Sequence, residues 1–206
     1  MASTPPTAAP LRCPHCAGDA GSTLACLACG AVLAEPDGAD AYGRLGLPPV
    51  LDVDTDALEA RYLRLSRLLH PDHQSARHAA DRARALTNSA RLNEAYRLLC
   101  DPGRRAEHLV DRLDPEALER TKALDPAFLM ESMELSEEVE SAREGDDAAA
   151  LERLAAAVRS EMDARRAQLA DGLAAATPDP NRLAVLLHEL KVFARILRDT
   201  DGQPSR

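Results

Sequence analysis

After residue 40, apolar positions recur every three or four residues along most of the chain, the period of helices that bury one face. In LEARYLRLSRLLHPD the positions Leu58, Tyr62, Leu65 and Leu69 share one helical face, and the pattern stops at His70 because Pro71 disfavours helical geometry before it. LNEAYRLLCDPGRRAEHLV resumes the period with Leu92, Tyr96 and Leu99, which predicts a helical hairpin with His70-Pro71-Asp72 at its tip. Helices are predicted over 40–45, 55–69, 79–100 and 147–176, with breaks at Pro48-Pro49 and Pro71. Asp-Pro pairs at 101–102, 114–115, 125–126 and 179–180 each precede an apolar-periodic stretch. Asp caps a helix and Pro suits its first position, so these pairs predict helix starts. Residues 115–200 then supply three more helices, enough for a small bundle, and no internal repeat is visible.

With 206 residues, aromatics at 2% and no Trp, the core must be built from Leu, Ala and Val, which favours helix packed on helix. The expected fold class is all-α, with little strand beyond the extreme N-terminus. A formal net charge of -9 argues against nucleic acid as the main partner, since that needs a basic face. No apolar run reaches the ~20 residues that span a bilayer, so no membrane partner is expected. Residues 1–12 lack a secretory hydrophobic stretch, and with one Arg and no acid they only faintly resemble a transit peptide. They read as a disordered lead-in to an internal, soluble protein. The Ala- and Arg-rich composition favours a bacterial cytoplasm over a mitochondrial matrix.

Four of the five cysteines crowd into residues 13–29, and EPDGAD at 35–40 reads as a linker, placing a first boundary near Glu35. Cys13-Pro-His-Cys16, nine residues, then Cys26-Leu-Ala-Cys29 has the spacing of two metal knuckles presenting four thiolates to one tetrahedral Zn2+. So short a segment, 13–34, cannot bury enough apolar surface to fold alone, and metal binding supplies the missing free energy. Four thiolates close the coordination sphere, so the Zn2+ is structural. A pair of disulfides and a redox CxxC pair are the alternatives. His15 reads as a bystander, and Cys100 as a small buried hydrophobe.

Arg61, Arg64 and Arg67 recur every three residues beside the tripeptide and form a basic stripe off the core face, suited to an acidic partner. The tripeptide at the tip of this hairpin, with its basic helix, resembles the J-domain family. The resemblance implies that His70, Pro71 and Asp72, with the basic helix, dock on a 70-kDa heat-shock chaperone of the HscA/DnaK class and trigger its ATPase. Two positions depart from the family: His73 stands where Lys is usual, and Gly43 where the first helix usually has an aromatic. The J-domain is expected over 40–112. A catalytic His-Asp pair is the rival reading, but no nucleophile or oxyanion motif accompanies it, so no enzyme activity is expected.

In PAFLMESMELSEEVESARE, Phe128, Leu135, Val139 and Ala142 form one core stripe, while Leu129, Met130 and Met133 point broadly to the other side beside Glu134 and Glu137. Residues 126–147 hold eight acids against Arg143 alone, so an apolar patch with an acidic edge predicts a partner site rather than a merely solvated face. A middle helix buried on both sides is the alternative. The stretch AFLMESMELSEEVE resembles the signature of the HscB family, J-proteins dedicated to iron-sulfur cluster assembly, over roughly 40–198. That resemblance implies that a three-helix domain, 115–200, binds an IscU-class cluster scaffold through Leu129, Met130, Met133, Glu134 and Glu137, with Val192 and adjacent Phe193 adding an apolar contact. Some members of the family carry an N-terminal tetracysteine zinc module. The expected function is therefore a co-chaperone that delivers the scaffold to a specialised chaperone. Its rivals are a general J-protein serving unfolded clients and a thiol oxidoreductase built on the CxxC pairs.

Overall fold

A computed structural model describes residues 11–70, 72 and 79–201. The lead-in up to residue 10, Pro71 and His73 lie outside the described residues. Among those described, the architecture is helical, and the only β pairing is two isolated bridges, Arg12 with Asp19 and Ala25 with Val32. The chain divides into two compact units that meet at Arg105 and Ala106.

The first unit holds the cysteine segment and helices α1 (Ala41–Leu45), α2 (Thr55–Leu69) and α3 (Ala79–Cys100). Asp40 caps α1 by accepting from the Gly43 N–H, and Asp54 caps α2 by accepting from the N–H groups of Asp56 and Ala57. α2 stops at His70, whose extended backbone (φ -64°, ψ 139°) is what the following proline demands. Leu58, Leu65 and Leu69 of α2 and Leu92, Ala95 and Leu99 of α3 are buried, and Tyr62 stacks on Tyr96 with ring centroids 4.2 Å apart. The aromatic missing at Gly43 is supplied one residue earlier. Tyr42 is buried and its hydroxyl donates to the Val50 carbonyl at 2.8 Å, so the glycine leaves no packing defect.

Residues 35–40, expected as a linker, are tied at their ends by Glu35 and Asp40, with Pro36, Asp37 and Gly38 exposed between them. Glu35 is buried at its side chain and accepts from Arg44 (2.6 Å) and Arg91 (3.0 Å). Asn88, fully buried on α3, donates through Nδ2 to the carbonyls of Leu24 (2.8 Å) and Leu33 (2.9 Å). Gly46, the left-handed cap of α1 (φ +66°), passes so close to the cysteine segment that a Cβ there would sit 1.7 Å from the Gly21 carbonyl oxygen. The cysteine segment is thus packed against the helices of the first unit. Cys100 corrects another expectation: it is exposed at the end of α3, because the buried positions of the last turn are Ala95 and Leu99.

Helix α4 (Pro102–Leu113) opens with the Asp101 carboxylate accepting from Gly103 and Arg104. Arg105 closes the first unit, buried and donating to the carbonyls of Leu51 and Leu99. The second unit contains α5 (Ala117–Arg120), α6 (Pro126–Glu144), α7 (Ala148–Ala174) and α8 (Pro180–Thr200). Asp125 and Asp179 cap α6 and α8 as the Asp-Pro pairs predict, whereas Asp114-Pro115 leads through a turn into the four residues of α5. Phe128, Val139, Val158, Met162, Phe193 and Ile196 form the core of the last three helices. No helix among the described residues is long and apolar enough to cross a membrane.

Replacing Asn88 by Ala strands two buried carbonyls at once, each worth ~1–3 kcal/mol when unpaired. Asn88→Ala is expected to destabilise the first unit by about 2–4 kcal/mol, read as a lowered urea midpoint, whereas Asn93→Ala, on an exposed turn of the same helix, should cost under ~1 kcal/mol.

Candidate functional site

The four cysteines sit on two turns of the same construction. In each, the residue after the second cysteine is left-handed, Ala17 at φ +60° and Gly30 at φ +73°. In each, that residue's N–H donates to the carbonyl of the first cysteine at 2.8 Å, Ala17 to Cys13 and Gly30 to Cys26. The first cysteine's own N–H donates back across the turn, Cys13 to Gly18 and Cys26 to Ala31, both at 2.8 Å. The bridges Arg12–Asp19 and Ala25–Val32 obey the same offset. A structural repeat therefore exists where none was visible in the sequence, because it is written in backbone hydrogen bonds and φ signs rather than in side chains.

The four Sγ atoms lie within 4.8 Å of one another, with Cys13 to Cys29 at 3.7 Å and Cys16 to Cys26 at 3.8 Å. Tetrahedral Zn–S bonds of about 2.3 Å place neighbouring sulfurs about 3.8 Å apart, so the donor set fits a metal ion. All four are free thiols, and the separations far exceed the ~2.05 Å of a disulfide. Burial pushes the Cys13 thiol up, but the N–H groups of His15 and Cys16 and the thiols of Cys26 and Cys16 outweigh it and bring it down to about 7. At Cys16 the Gly18 N–H pulls downward, while burial and the three neighbouring thiols push up to about 11. The imidazole of His15 is not part of the cluster.

At the end of α2, His70 and Asp72 are both exposed, with the Asp72 N–H donating to His70 Nδ1 at 3.2 Å and its carboxylate 3.5 Å from the same nitrogen. In the neutral ring, accepting at Nδ1 places the proton on Nε2. Arg64 and Arg67 are exposed and Arg61 half-buried. Arg64 is already engaged: its Nη2 donates to the Leu27 carbonyl, inside the second cysteine turn, at 2.7 Å. Sequence reasoning missed this contact, as no local pattern links residues 37 positions apart.

On α6, Phe128, Val139 and Ala142 are buried and Leu135 packs partly buried against the core, as the stripe predicts. Leu129, Met130 and Met133 are exposed by 41%, 63% and 62%, which rules out a helix buried on both sides. Glu134 and Glu137 are exposed beside them. Val192 on α8 is half-buried against the core. Phe193 is a correction: it is a core residue, 6% exposed, edge-on to Phe128 at 5.5 Å and covered by Arg165, whose guanidinium lies 4.6 Å from its ring centroid. One residue along a helix is a turn of about 100°, enough to carry Phe193 from the surface to the interior beside Val192.

Comparison with known proteins agrees with both helical assignments. Residues 40–108 match the DnaJ domain family, and residues 124–201 match the HSCB C-terminal oligomerisation domain. The co-chaperone protein HscB homolog of Bordetella petrii is 40% identical over 128 residues, covering 62% of this chain and 72% of that protein. Its counterpart in Ralstonia nicotianae is 35% identical over 161 residues, 77% of this chain and 90% of that one. Among solved structures, chaperone HscB from Vibrio cholerae superposes with a TM-score of 0.62 at 32% identity over 80% of this chain and 96% of its own. Human co-chaperone protein HscB does so with 0.68 at 25% identity, over 93% and 98%. These relatives are co-chaperones, a non-enzymatic family whose J-domain implies a 70-kDa heat-shock chaperone as partner. This chain, a J-domain followed by an HscB-type helical domain and preceded by a tetracysteine module shaped for a metal ion, belongs to the HscB co-chaperone family.

Proposed function

We propose that the protein stimulates the ATPase of an HscA/DnaK-class chaperone and delivers to it an IscU-class iron-sulfur cluster scaffold, in a bacterial cytoplasm. His70, Pro71 and Asp72, with Arg61, Arg64 and Arg67, dock on the chaperone. Leu129, Met130, Met133, Glu134 and Glu137, flanked by Val192, hold the scaffold. The observation that carries this reading is the exposed patch on α6. The helix satisfies its core with Phe128, Val139 and Ala142 and still presents three large apolar side chains to solvent. Flexible Met side chains repack readily against a partner, and the acids at their edge select a basic one.

The mechanism is linkage rather than chemistry. A co-chaperone that favours the ADP-bound, high-affinity chaperone state tightens the chaperone's hold on the scaffold without reacting with either. Within the cysteine module, Cys13, Cys16, Cys26 and Cys29 would hold Zn2+, which supplies folding energy to a short segment with a small buried cluster of Cys13, Ala20, Cys26, Ala31 and Leu33.

Single-turnover hydrolysis by the chaperone is expected to be stimulated by the wild-type protein and to return to the basal rate with His70→Gln, whose unfolding free energy in urea stays within ~0.5 kcal/mol of wild type because the ring is exposed. Met130→Ala/Met133→Ala should weaken scaffold binding by ~1–3 kcal/mol, roughly 5- to 150-fold, while leaving scaffold-independent stimulation intact. A general J-protein would instead bind denatured clients broadly and ignore the Met pair. Purified protein should contain zinc in equimolar amount, lost in Cys13→Ser or Cys26→Ser; reactive free thiols with no tightly held metal would favour the thiol oxidoreductase.

A further inference from the structure

We propose that the tetracysteine module has a function beyond its own folding: it preorganises the arginine face of α2 for the chaperone, so that metal occupancy and chaperone docking are linked. The inference rests on the docking role assigned above to that face. Two contacts carry it. The Leu27 carbonyl, between Cys26 and Cys29, accepts from Arg64 Nη2 at 2.7 Å, in the middle of the basic stripe. One residue past Cys29, Gly30 lies where a Cβ would touch the Leu68 side chain at 3.5 Å, so the same turn rests on the last turn of α2 before His70.

The turn that makes these contacts is held by the metal ligands themselves. Cys26 and Cys29 bracket Leu27, and the Gly30 N–H closes the turn on the Cys26 carbonyl. With the four sulfurs tied to one ion, the Leu27 carbonyl is a fixed acceptor; with the ion gone, the knuckles are joined by the hydrogen bond from the Leu27 N–H to the Ala20 carbonyl at 2.8 Å and by the buried cluster of Cys13, Ala20, Cys26, Ala31 and Leu33, and the carbonyl gains freedom. Arg carries high rotamer entropy, and one donor spent on a fixed carbonyl leaves the rest of its fork aimed and charged for an acidic surface. An arginine ordered before docking loses less entropy on docking. The module is also anchored to α3 by Asn88 and by Glu35 with Arg91, so the pin joins two elements that are packed together independently of it.

Linkage makes the coupling reciprocal. Full-length protein, zinc-filled or stripped with chelator under reducing conditions, is titrated against the chaperone, for direct binding and for single-turnover stimulation, alongside Arg64→Ala in both metal states. Removing zinc from the wild type is expected to raise the midpoint roughly three- to tenfold with the maximum unchanged. Arg64→Ala should start from a weaker midpoint and show no further shift on stripping. Conversely, saturating chaperone should raise zinc affinity, read by competition with a chromogenic chelator, by the same factor in the wild type and not in Arg64→Ala. Equal midpoints for zinc-filled and stripped wild type would overturn the proposal. So would an equal shift in Arg64→Ala, which would mean that stripping acts by loosening the whole unit rather than through the pin. If zinc-filled wild type fails to bind or stimulate at all, it is the docking role of α2 that fails and the coupling falls with it, an outcome separate from the other two.

Discussion

The seating of the cysteine segment on the helices of the first unit depends on one buried amide. Asn88 sits in the middle of α3, fully inaccessible, and spends both hydrogens of its Nδ2 on carbonyls that lie 64 and 55 positions earlier in the chain. Those carbonyls belong to Leu24 and Leu33, which enclose the second cysteine turn, so the amide serves there as the absent edge of a sheet would. A segment too small to bury its own backbone has borrowed a side chain from a helix to do so. The close approach of Gly46 to Gly21 and the Arg44–Glu35–Arg91 cluster hold the same segment against the helices.

That seating makes the three arginines of α2 unequal. On an isolated hairpin, Arg61, Arg64 and Arg67 would be three equivalent exposed cations. Packed against the cysteine turn they differ: Arg64 is held by a backbone carbonyl, Arg67 is free in solvent on the last turn, and Arg61 is half-buried. The second unit solves the opposite problem. There α6 has more apolar surface than its neighbours can cover, and Arg165, stacked over Phe193 and paired with Glu189 at 2.8 Å, closes the interior while Leu129, Met130 and Met133 remain outside it.

The comparison of expectation with structure turns on how far apart the interacting residues are. The stripes Leu58-Tyr62-Leu65-Leu69 and Phe128-Leu135-Val139-Ala142 were legible because helical periodicity maps spacing directly onto a face. The Asp-Pro caps at Asp101, Asp125 and Asp179 were legible because a cap acts within three residues, and the CxxC pairs because a chelating turn is equally local. Cys100 and Phe193 were misplaced for a shared reason. Each lies one residue from a position on the other side of the helix surface, Leu99 buried and Val192 half-buried, and a 100° step decides between core and solvent only when the neighbouring helices are in place.

By itself, the sequence determined the helical class, the hairpin tip at His70, the cysteine ligand set and the two faces of α6, all of which are encoded by side-chain chemistry at separations of a few residues. Only the tertiary structure decided that Asn88 seats the cysteine segment on α3, that the two cysteine turns share one backbone hydrogen-bond pattern, and that the second of them grips Arg64. Those features reside in backbone carbonyls, and every residue has one. Which carbonyl meets Asn88 or Arg64 is therefore invisible until the chain has folded and brought the partners together.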